Sequence, residues 1–146
     1  MRIAIDTNIL IYAHLPSLPE HAEVRRCLEG LLGDHETKII ITANVLHEFI
    51  HVVTDARRFT PPVSMSEASA VAGLYLGRPN IECLPLDEKA VFMALELIES
   101  HRLGRRRLAD TLYAAALIQN KVKHLLTCNP ADFRIFDELE IIDPRN

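Results

Sequence analysis

The sequence predicts an α/β fold, a sandwich in which helices flank a central, mostly parallel sheet of four or five strands. Short apolar or β-branched segments alternate with longer segments of helical periodicity along the whole chain. This is the order that strand–helix–strand crossovers produce. No internal repeat, low-complexity segment or linker interrupts the alternation. We therefore expect residues 1–146 to form one domain.

The predicted strands are short and mostly apolar. Residues 2–5 (RIAI) form an apolar run that stops at Asp6, and residues 38–41 (KIII) are rich in β-branched side chains, which favour extended backbone. The remaining predicted strands are residues 81–84, residues 122–127 and a short fifth segment, residues 140–142.

The predicted helices follow from apolar spacing and from residues that begin or end helices. Thr42 is a suitable N-cap, and Gly77 ends a segment rich in small residues. The longest helix is amphipathic, with Val91, Leu95 and Ile98 on one side. The predicted helices cover residues 7–13, 20–32, 42–54, 66–76, 87–101 and 108–120.

Composition limits the classes of function. Of the 146 residues, 49% are hydrophobic and 25% are charged, as in ordinary globular proteins. The net charge of −4 argues against a uniformly basic nucleic-acid surface, although it allows local arginine clusters. No apolar run is long enough to span a membrane, and no signal peptide is predicted. The three separated cysteines are typical of reduced thiols, which predicts a cytoplasmic protein.

Acidic and amide side chains follow two predicted strands. Asp6 comes directly after residues 2–5, and Asn129 and Asp132 follow the strand at 122–127, while Asp110 begins a helix. Each has an ordinary structural explanation as a helix cap, a turn residue or a partner of the helix dipole. Parallel sheets, however, bind ligands at the carboxyl ends of their strands. Carboxylates that converge there repel one another and need a cation, and Mg²⁺ or Mn²⁺ suits oxygen ligands.

Residues 47–51 (HEFIH) match the H-E-x-x-H pattern of zinc peptidases. In that interpretation His47 and His51 bind zinc, and Glu48 acts as a general base. A third ligand is required, and Glu67 is the candidate at a loosely suitable spacing. The strand–helix alternation and the acids elsewhere in the chain do not fit this interpretation. We keep a small zinc peptidase as a less favoured alternative.

The helix that carries HEFIH has two distinct sides. Val45, Phe49, Val52 and Val53 form an apolar side, with Leu46 and Ile50 adjoining, whereas Asn44, Glu48, His51 and Asp55 form a polar stripe. Periodicity alone allows two interpretations of that stripe. It either faces solvent or turns Glu48 toward the other acids.

Four motifs in order resemble the PIN domain, in particular the VapC-type toxin ribonucleases. They are D-T-N at 6–8, V-L-H-E-F at 45–49, D-x-x-x-A-A-A at 110–116 and T-x-N-x-x-D-F at 127–133. The resemblance runs from residue 2 to about residue 136. It implies RNA cleavage that depends on Mg²⁺ or Mn²⁺, in which the bound ion activates a water that attacks the phosphodiester in line. It also implies frequent homodimers and a cognate antitoxin protein that blocks the site.

The resemblance also implies roles for individual residues. By position, Asp6, Glu48 and Asp110 are the first three metal-binding catalytic acids, and Thr7 and Asn8 support Asp6 through hydrogen bonds. The catalytic acid at the fourth position is Asp132. Many relatives have Asp where this chain has Asn129, so either of these two residues is a candidate metal ligand there.

Three consecutive arginines precede the third acid. Arg105, Arg106 and Arg107 could hold the RNA backbone beside an acidic pocket, or they could simply form a solvated loop.

Two further alternatives stay open. A PIN-like module that binds RNA or protein without cutting would fit Asn129, which adds no charge to the site. A haloacid-dehalogenase-like phosphatase would also carry an acid after its first strand. That family expects a second acid two residues later, where this chain has Asn8, so we rank it low.

Overall fold

Five parallel strands form the central sheet of the computed structural model, which describes residues 1–146. The order is β3-β2-β1-β4-β5, and every neighbouring pair is parallel. The strands are β1 (Arg2–Ile5), β2 (Lys38–Thr42), β3 (Ile81–Leu84), β4 (His124–Leu126) and β5 (Glu140–Ile142). The predicted parallel α/β sheet is confirmed, with the fifth strand included.

Six α-helices and two single 3₁₀ turns connect the strands. The helices are α1 (Thr7–His14), α2 (His21–Gly33), α3 (Ala43–Val53), α4 (Met65–Leu76), α5 (Glu88–Ser100) and α6 (Leu108–Gln119). The 3₁₀ turns are Arg105–Arg107, directly before α6, and Pro130–Asp132, after β4. None of the helices has the length and apolar character needed to cross a membrane.

The strand order fixes where a ligand site can form. The chain runs outward from β1 through β2 to β3, then returns to the other side of β1 for β4 and β5. The order therefore reverses between β1 and β4. In open parallel sheets, the crevice at the carboxyl ends of the strands beside such a reversal is the usual binding place. The residues directly after β1 and β4 lie at that crevice.

The core lies on both faces of the sheet. It is one cluster of 30 buried residues that includes the apolar strand residues and the apolar side of α3. Burying this cluster against the sheet fixes the rotation of α3, so its polar stripe must point away from the core. Val45, Phe49 and Val53 are almost fully buried there.

The apolar side predicted for α5 faces solvent in the monomer. Val91 is 44% exposed and Leu95 is 55% exposed, whereas Ala90 and Ala94 are buried. The helix packs against α6, and small alanine side chains allow the two helices to approach closely. The larger apolar side chains of α5 are left on the surface.

Candidate active site

Residues from four separate parts of the chain line one cavity of about 270 Å³ at the carboxyl end of the sheet. They come from the end of β1 and the start of α1, from α3 and the turn after it, from the first turn of α6, and from the segment after β4. The lining residues are Asp6, Thr7, Asn8, Ile11, Glu48, Val52, Arg58, Asp110, Asn129 and Asp132. All of the sequence-predicted acids are therefore brought together.

Asp6 lies at the base of the cavity, at the junction of β1 and α1. Its backbone N–H donates to the Leu126 carbonyl at 3.0 Å, which continues the ladder with β4. Its Oδ1 accepts from the Thr7 backbone N–H at 2.7 Å, and its Oδ2 accepts from Asn8 Nδ2 at 3.0 Å. Asp6 is thus both the N-cap of α1 and a fixed member of the site.

Thr127 is a supporting residue that the sequence analysis did not identify. It is fully buried, and its hydroxyl donates to Asp6 Oδ2 at 2.7 Å. The same hydroxyl oxygen accepts from the Asn129 backbone N–H at 3.0 Å. The available signal was positional, because Thr127 follows β4 just as Asp6 follows β1, and Ile5 is in register with Leu126.

Glu48 reaches the cavity from the polar stripe of α3. Its Oε2 accepts from Thr7 Oγ1 at 3.0 Å, so the Thr7 side chain supports Glu48 while its backbone supports Asp6. The stripe therefore turns its glutamate toward the other acids. His47 and His51 are exposed and do not line the cavity.

Asp110 is presented by the first turn of α6, which is anchored to the strand that carries Asp6. Tyr113, one turn further on and buried, donates its hydroxyl to the Ile5 carbonyl at 2.6 Å. Burial raises the pKa of Asp110 to about 6, with further increases from the charges of Asp6, Asp132 and Glu48 and an opposing effect of Arg107.

Burial also raises the pKa of Asp6, although the Thr127 and Thr7 hydrogen bonds oppose this increase. The charges of Glu48 and Asp132 raise it further. Two of the four carboxylates are therefore hard to ionise because of burial and because the others lie near them.

The turn after β4 supplies the fourth acid. Asp132 is half-buried at the end of the Pro130–Asp132 turn, and Asn129, which precedes that turn, is exposed at the rim. Arg107 Nη2 donates to the Asp132 carbonyl, and its Nε is buried without a partner. Arg107 is thus held by a hydrogen bond within the protein, whereas Arg105 and Arg106 are exposed and lie outside the cavity lining.

The donor set suits a hard divalent cation. Four carboxylates and one amide carbonyl are all-oxygen ligands, which Mg²⁺ and Mn²⁺ prefer. In this structure no three His, Cys, Asp or Glu side chains are arranged to hold a metal ion. Burial, and after it the charges of the neighbouring carboxylates, raise the pKa values of Asp6 and Asp110. A bound cation would offset the repulsion between these carboxylates.

Comparison with known proteins agrees with the fold. The family model described as "PIN domain" matches residues 3–139. Ribonuclease VapC43 of Mycobacterium tuberculosis is 32% identical over 123 residues, which are 84% of this chain and 83% of the relative. Ribonuclease VapC33 of the same organism is 26% identical over 139 residues, 95% of each chain.

Solved structures share the fold at lower identity. VapBC2 from Rickettsia felis, bound to a DNA fragment from its promoter, has a TM-score of 0.67 at 23% identity and covers 98% of both chains. Mycobacterium tuberculosis VapC20, described as a sarcin–ricin loop cleaving toxin, has a TM-score of 0.66 at 13% identity and covers 84% of this chain and 86% of its own. The match over residues 3–139 and the identity to VapC43 establish that this chain belongs to the PIN domain family and, within it, to the VapC ribonucleases.

Proposed function

We propose that this chain is an endoribonuclease that hydrolyses RNA phosphodiester bonds with Mg²⁺ or Mn²⁺ and acts as the toxin of a toxin–antitoxin pair. In this proposal residues 1–146 work as a single PIN domain in the cytoplasm. The observation that carries it is the convergence of Asp6, Glu48, Asp110 and Asp132 on one cavity. The names of the relatives support the substrate class.

Asp6, Glu48 and Asp110 would hold the divalent ion, and Asp132 or the Asn129 carbonyl would complete its ligand set. When bound, the ion polarises the scissile phosphate and lowers the pKa of a water that can attack it. The protein contributes orientation, because Asp6 and Glu48 are each held by fixed donors before any ligand arrives. Such pre-organisation avoids the cost of ordering these side chains during the reaction.

Asp110 has a further role in this proposal. With a pKa of about 6 in the protein alone, its proton is lost easily once a cation neutralises the cavity. Binding of the metal should therefore release protons near neutral pH. Asn129 adds an acceptor without charge, which supports firm binding of one ion more than of two.

An antitoxin protein is the partner that the structural relatives support, since several of them are toxin–antitoxin complexes. A second copy of the chain is a further partner in this proposal. Val91, Phe92 and Leu95 on α5 are large, apolar and exposed, and Leu108 at the start of α6 is 51% exposed. Apolar side chains of this size on one helix pair favour burial against another protein surface.

The decisive experiment is RNA cleavage by the purified chain with and without Mn²⁺ or Mg²⁺. Wild type should cleave RNA only with the metal, and Asp6→Asn should lose cleavage and relieve growth arrest in cells that express it. Full activity of Asp6→Asn would refute the proposal. Thermal unfolding of both proteins serves as the control for folding.

The non-cleaving module is the second candidate, and the observation that favours it is Asn129 at the cavity rim. It predicts RNA binding without any cleavage over a broad panel of RNAs in Mn²⁺. Restoring the acid with Asn129→Asp separates the two candidates further. Gain of cleavage in that variant alone would mean that the natural chain is a binding module.

A further inference from the structure

Arg58 is the only positively charged residue that lines the acidic cavity. The chain leaves α3 at Val53 and turns back, which brings Arg58 to the cavity edge beside Val52. Its side chain remains 61% exposed. Its role was not predicted from the sequence.

The donor groups of Arg58 are not used by the protein. Its closest acidic partner is Asp55, and the distance from Arg58 Nε to Asp55 Oδ2 is 3.7 Å, too long for a hydrogen bond. Arg57 holds Asp55 instead, through Nε at 3.1 Å, Nη2 at 3.2 Å and its backbone N–H at 2.9 Å. Arg58 is thus within ion-pair distance of Asp55, and its charge helps to lower the pKa of that carboxyl, but it donates no hydrogen bond to it. The Arg58 guanidinium therefore keeps its hydrogen-bond donors for a ligand.

Arg58 also does not act as a counter-ion for the buried acids. The charges that shift the pKa values of Asp6 and Asp110 are those of the other carboxylates and, for Asp110, of Arg107. Arg58 is not among the main contributors to either shift, and its side chain is largely exposed at the rim. Its charge can therefore act on a group that approaches from solvent.

A nucleic-acid strand needs such a group. Each nucleotide carries one negative charge, and a strand that enters the cavity meets four carboxylates. A guanidinium at the rim offers two parallel N–H donors to a phosphate and reduces the repulsion there. Arg107 donates to the Asp132 carbonyl, and Arg105 and Arg106 lie outside the cavity lining. Arg58 is therefore the arginine at the cavity rim that can contact a phosphate there.

We propose that Arg58 binds a backbone phosphate of the RNA next to the scissile phosphate and so positions the strand over the carboxylates. The proposal rests on the proposed function to the extent that the substrate is RNA. In this proposal Arg58 is a substrate-binding residue, and the turn that begins at Asp55 holds Arg58 at the cavity edge.

The test compares Arg58→Gln with Arg26→Gln, both made in the Asp6→Asn background so that no RNA is cut. Arg26 is an exposed arginine on α2 outside the cavity lining, so its loss removes the same charge without touching the turn that carries Arg58. Binding of a fluorescein-labelled single-stranded RNA of mixed sequence is followed by anisotropy over a range of salt concentrations. Arg58→Gln should weaken binding about tenfold and reduce the slope of log K against log salt by about 0.7, as expected for one lost phosphate contact. Arg26→Gln should leave both unchanged.

A conservative variant separates charge from geometry. Arg58→Lys should keep the salt slope but recover only part of the affinity, because an ammonium cannot make the paired contact. In the active protein, Arg58→Gln should lower kcat/KM about tenfold, mainly through KM. Equal melting temperatures of the variants would exclude a change in folding as the cause.

The outcomes distinguish this proposal from the cleavage proposal. If Arg58→Gln and Arg26→Gln bind RNA with the same affinity and salt slope, the role of Arg58 is refuted, whether or not the chain cuts RNA. If wild type cuts no RNA but Arg58→Gln alone weakens binding, the cleavage proposal fails and the role of Arg58 stands. If the chain binds no RNA at any salt concentration, both are refuted.

Discussion

The Thr127 hydroxyl donates to Asp6 Oδ2 at 2.7 Å, across the two strands at which the sheet order reverses. The pairing of β1 with β4 aligns Ile5 with Leu126, so the next residues, Asp6 and Thr127, lie side by side at the carboxyl ends of the two strands. One of them supplies a carboxylate and the other supplies its donor. The donor is fully buried and cannot move aside for solvent. The orientation of Asp6 therefore depends on a residue more than 100 positions away in the chain.

Thr127→Val should reduce RNA cleavage about 10- to 100-fold, the range found when a hydrogen-bond partner of a metal ligand is lost. The substitution keeps the shape of the side chain and removes the hydroxyl, which donates to Asp6 and accepts from the Asn129 backbone N–H. Asp6 then loses orientation and its pKa rises further. Thr127→Ser keeps the hydroxyl and is the matched control. The measurement is kcat/KM for RNA cleavage in Mn²⁺. Equal activity of the Val and Ser variants would contradict a role of the Thr127 hydroxyl in orienting Asp6.

Asp110→Asn should stabilise the metal-free protein at neutral pH. The folded-state pKa of Asp110 is about 6, above its usual value of 3.8, so the folded state holds this proton more tightly than the unfolded state does. Stability from this group is present below about pH 4 and is lost as the pH rises through about 6. The gain in the variant at higher pH should be about 1–2 kcal/mol after allowance for solvent screening.

Urea unfolding in the presence of a chelator, from about pH 4 to pH 8, measures this difference. The gap between variant and wild type should grow from about pH 4 to about pH 6 and then level off at higher pH. Added Mn²⁺ should then raise the melting temperature of wild type more than that of the variant, because only wild type keeps the full ligand set. A gap that does not change with pH would contradict the pKa shift.

The alternation of strands and helices predicted the sheet almost residue by residue, because local patterns determine local elements. The strand at 122–127 was predicted too long. The Val122 N–H bonds back to the Leu117 carbonyl and so closes α6, and the strand itself begins at His124. The apolar stripe with Val91 and Leu95 predicted α5 correctly, but it did not show that this side would face solvent.

Candidate site residues were predictable where the motif carried them and not where tertiary contacts made them. Asp6 and Glu48 stand in recognisable patterns. Tyr113 and Arg58 gain their places only through helix docking and a turn, and neither leaves a local signature. Thr127 stands in the last of the four motifs, but its bond to Asp6 depends on the register of two strands. The pattern also implied one role for Thr7, whereas its side chain and its backbone serve different acids.

The H-E-x-x-H match gives a contrast between Glu48 and its two histidines. Glu48→Gln should abolish cleavage, since it removes a charged ligand that Thr7 already orients. His47→Ala and His51→Ala should each lower kcat/KM by no more than about threefold, because both side chains are exposed and outside the cavity. Wild-type protein purified without chelators should contain no zinc. Loss of bound zinc together with loss of activity in a histidine variant would favour the peptidase.

Arg107 gives the last prediction, which separates a positioning role from RNA contact. Its Nη2 donates to the Asp132 carbonyl, so it ties the segment before α6 to the turn that carries the fourth acid. Arg107→Ala should destabilise the fold by about 1–2 kcal/mol, through loss of a half-buried hydrogen bond, and should lower kcat more than it raises KM.

Arg106→Ala is the matched control, since that side chain is exposed and makes no hydrogen bond; its stability and kcat should equal those of wild type. The salt dependence of RNA binding distinguishes the two roles of Arg107. A positioning residue leaves the slope of log K against log salt unchanged, whereas a phosphate contact contributes about 0.7 to it. A reduced slope with unchanged stability in Arg107→Ala would therefore return Arg107 to the RNA-binding role that the sequence first suggested.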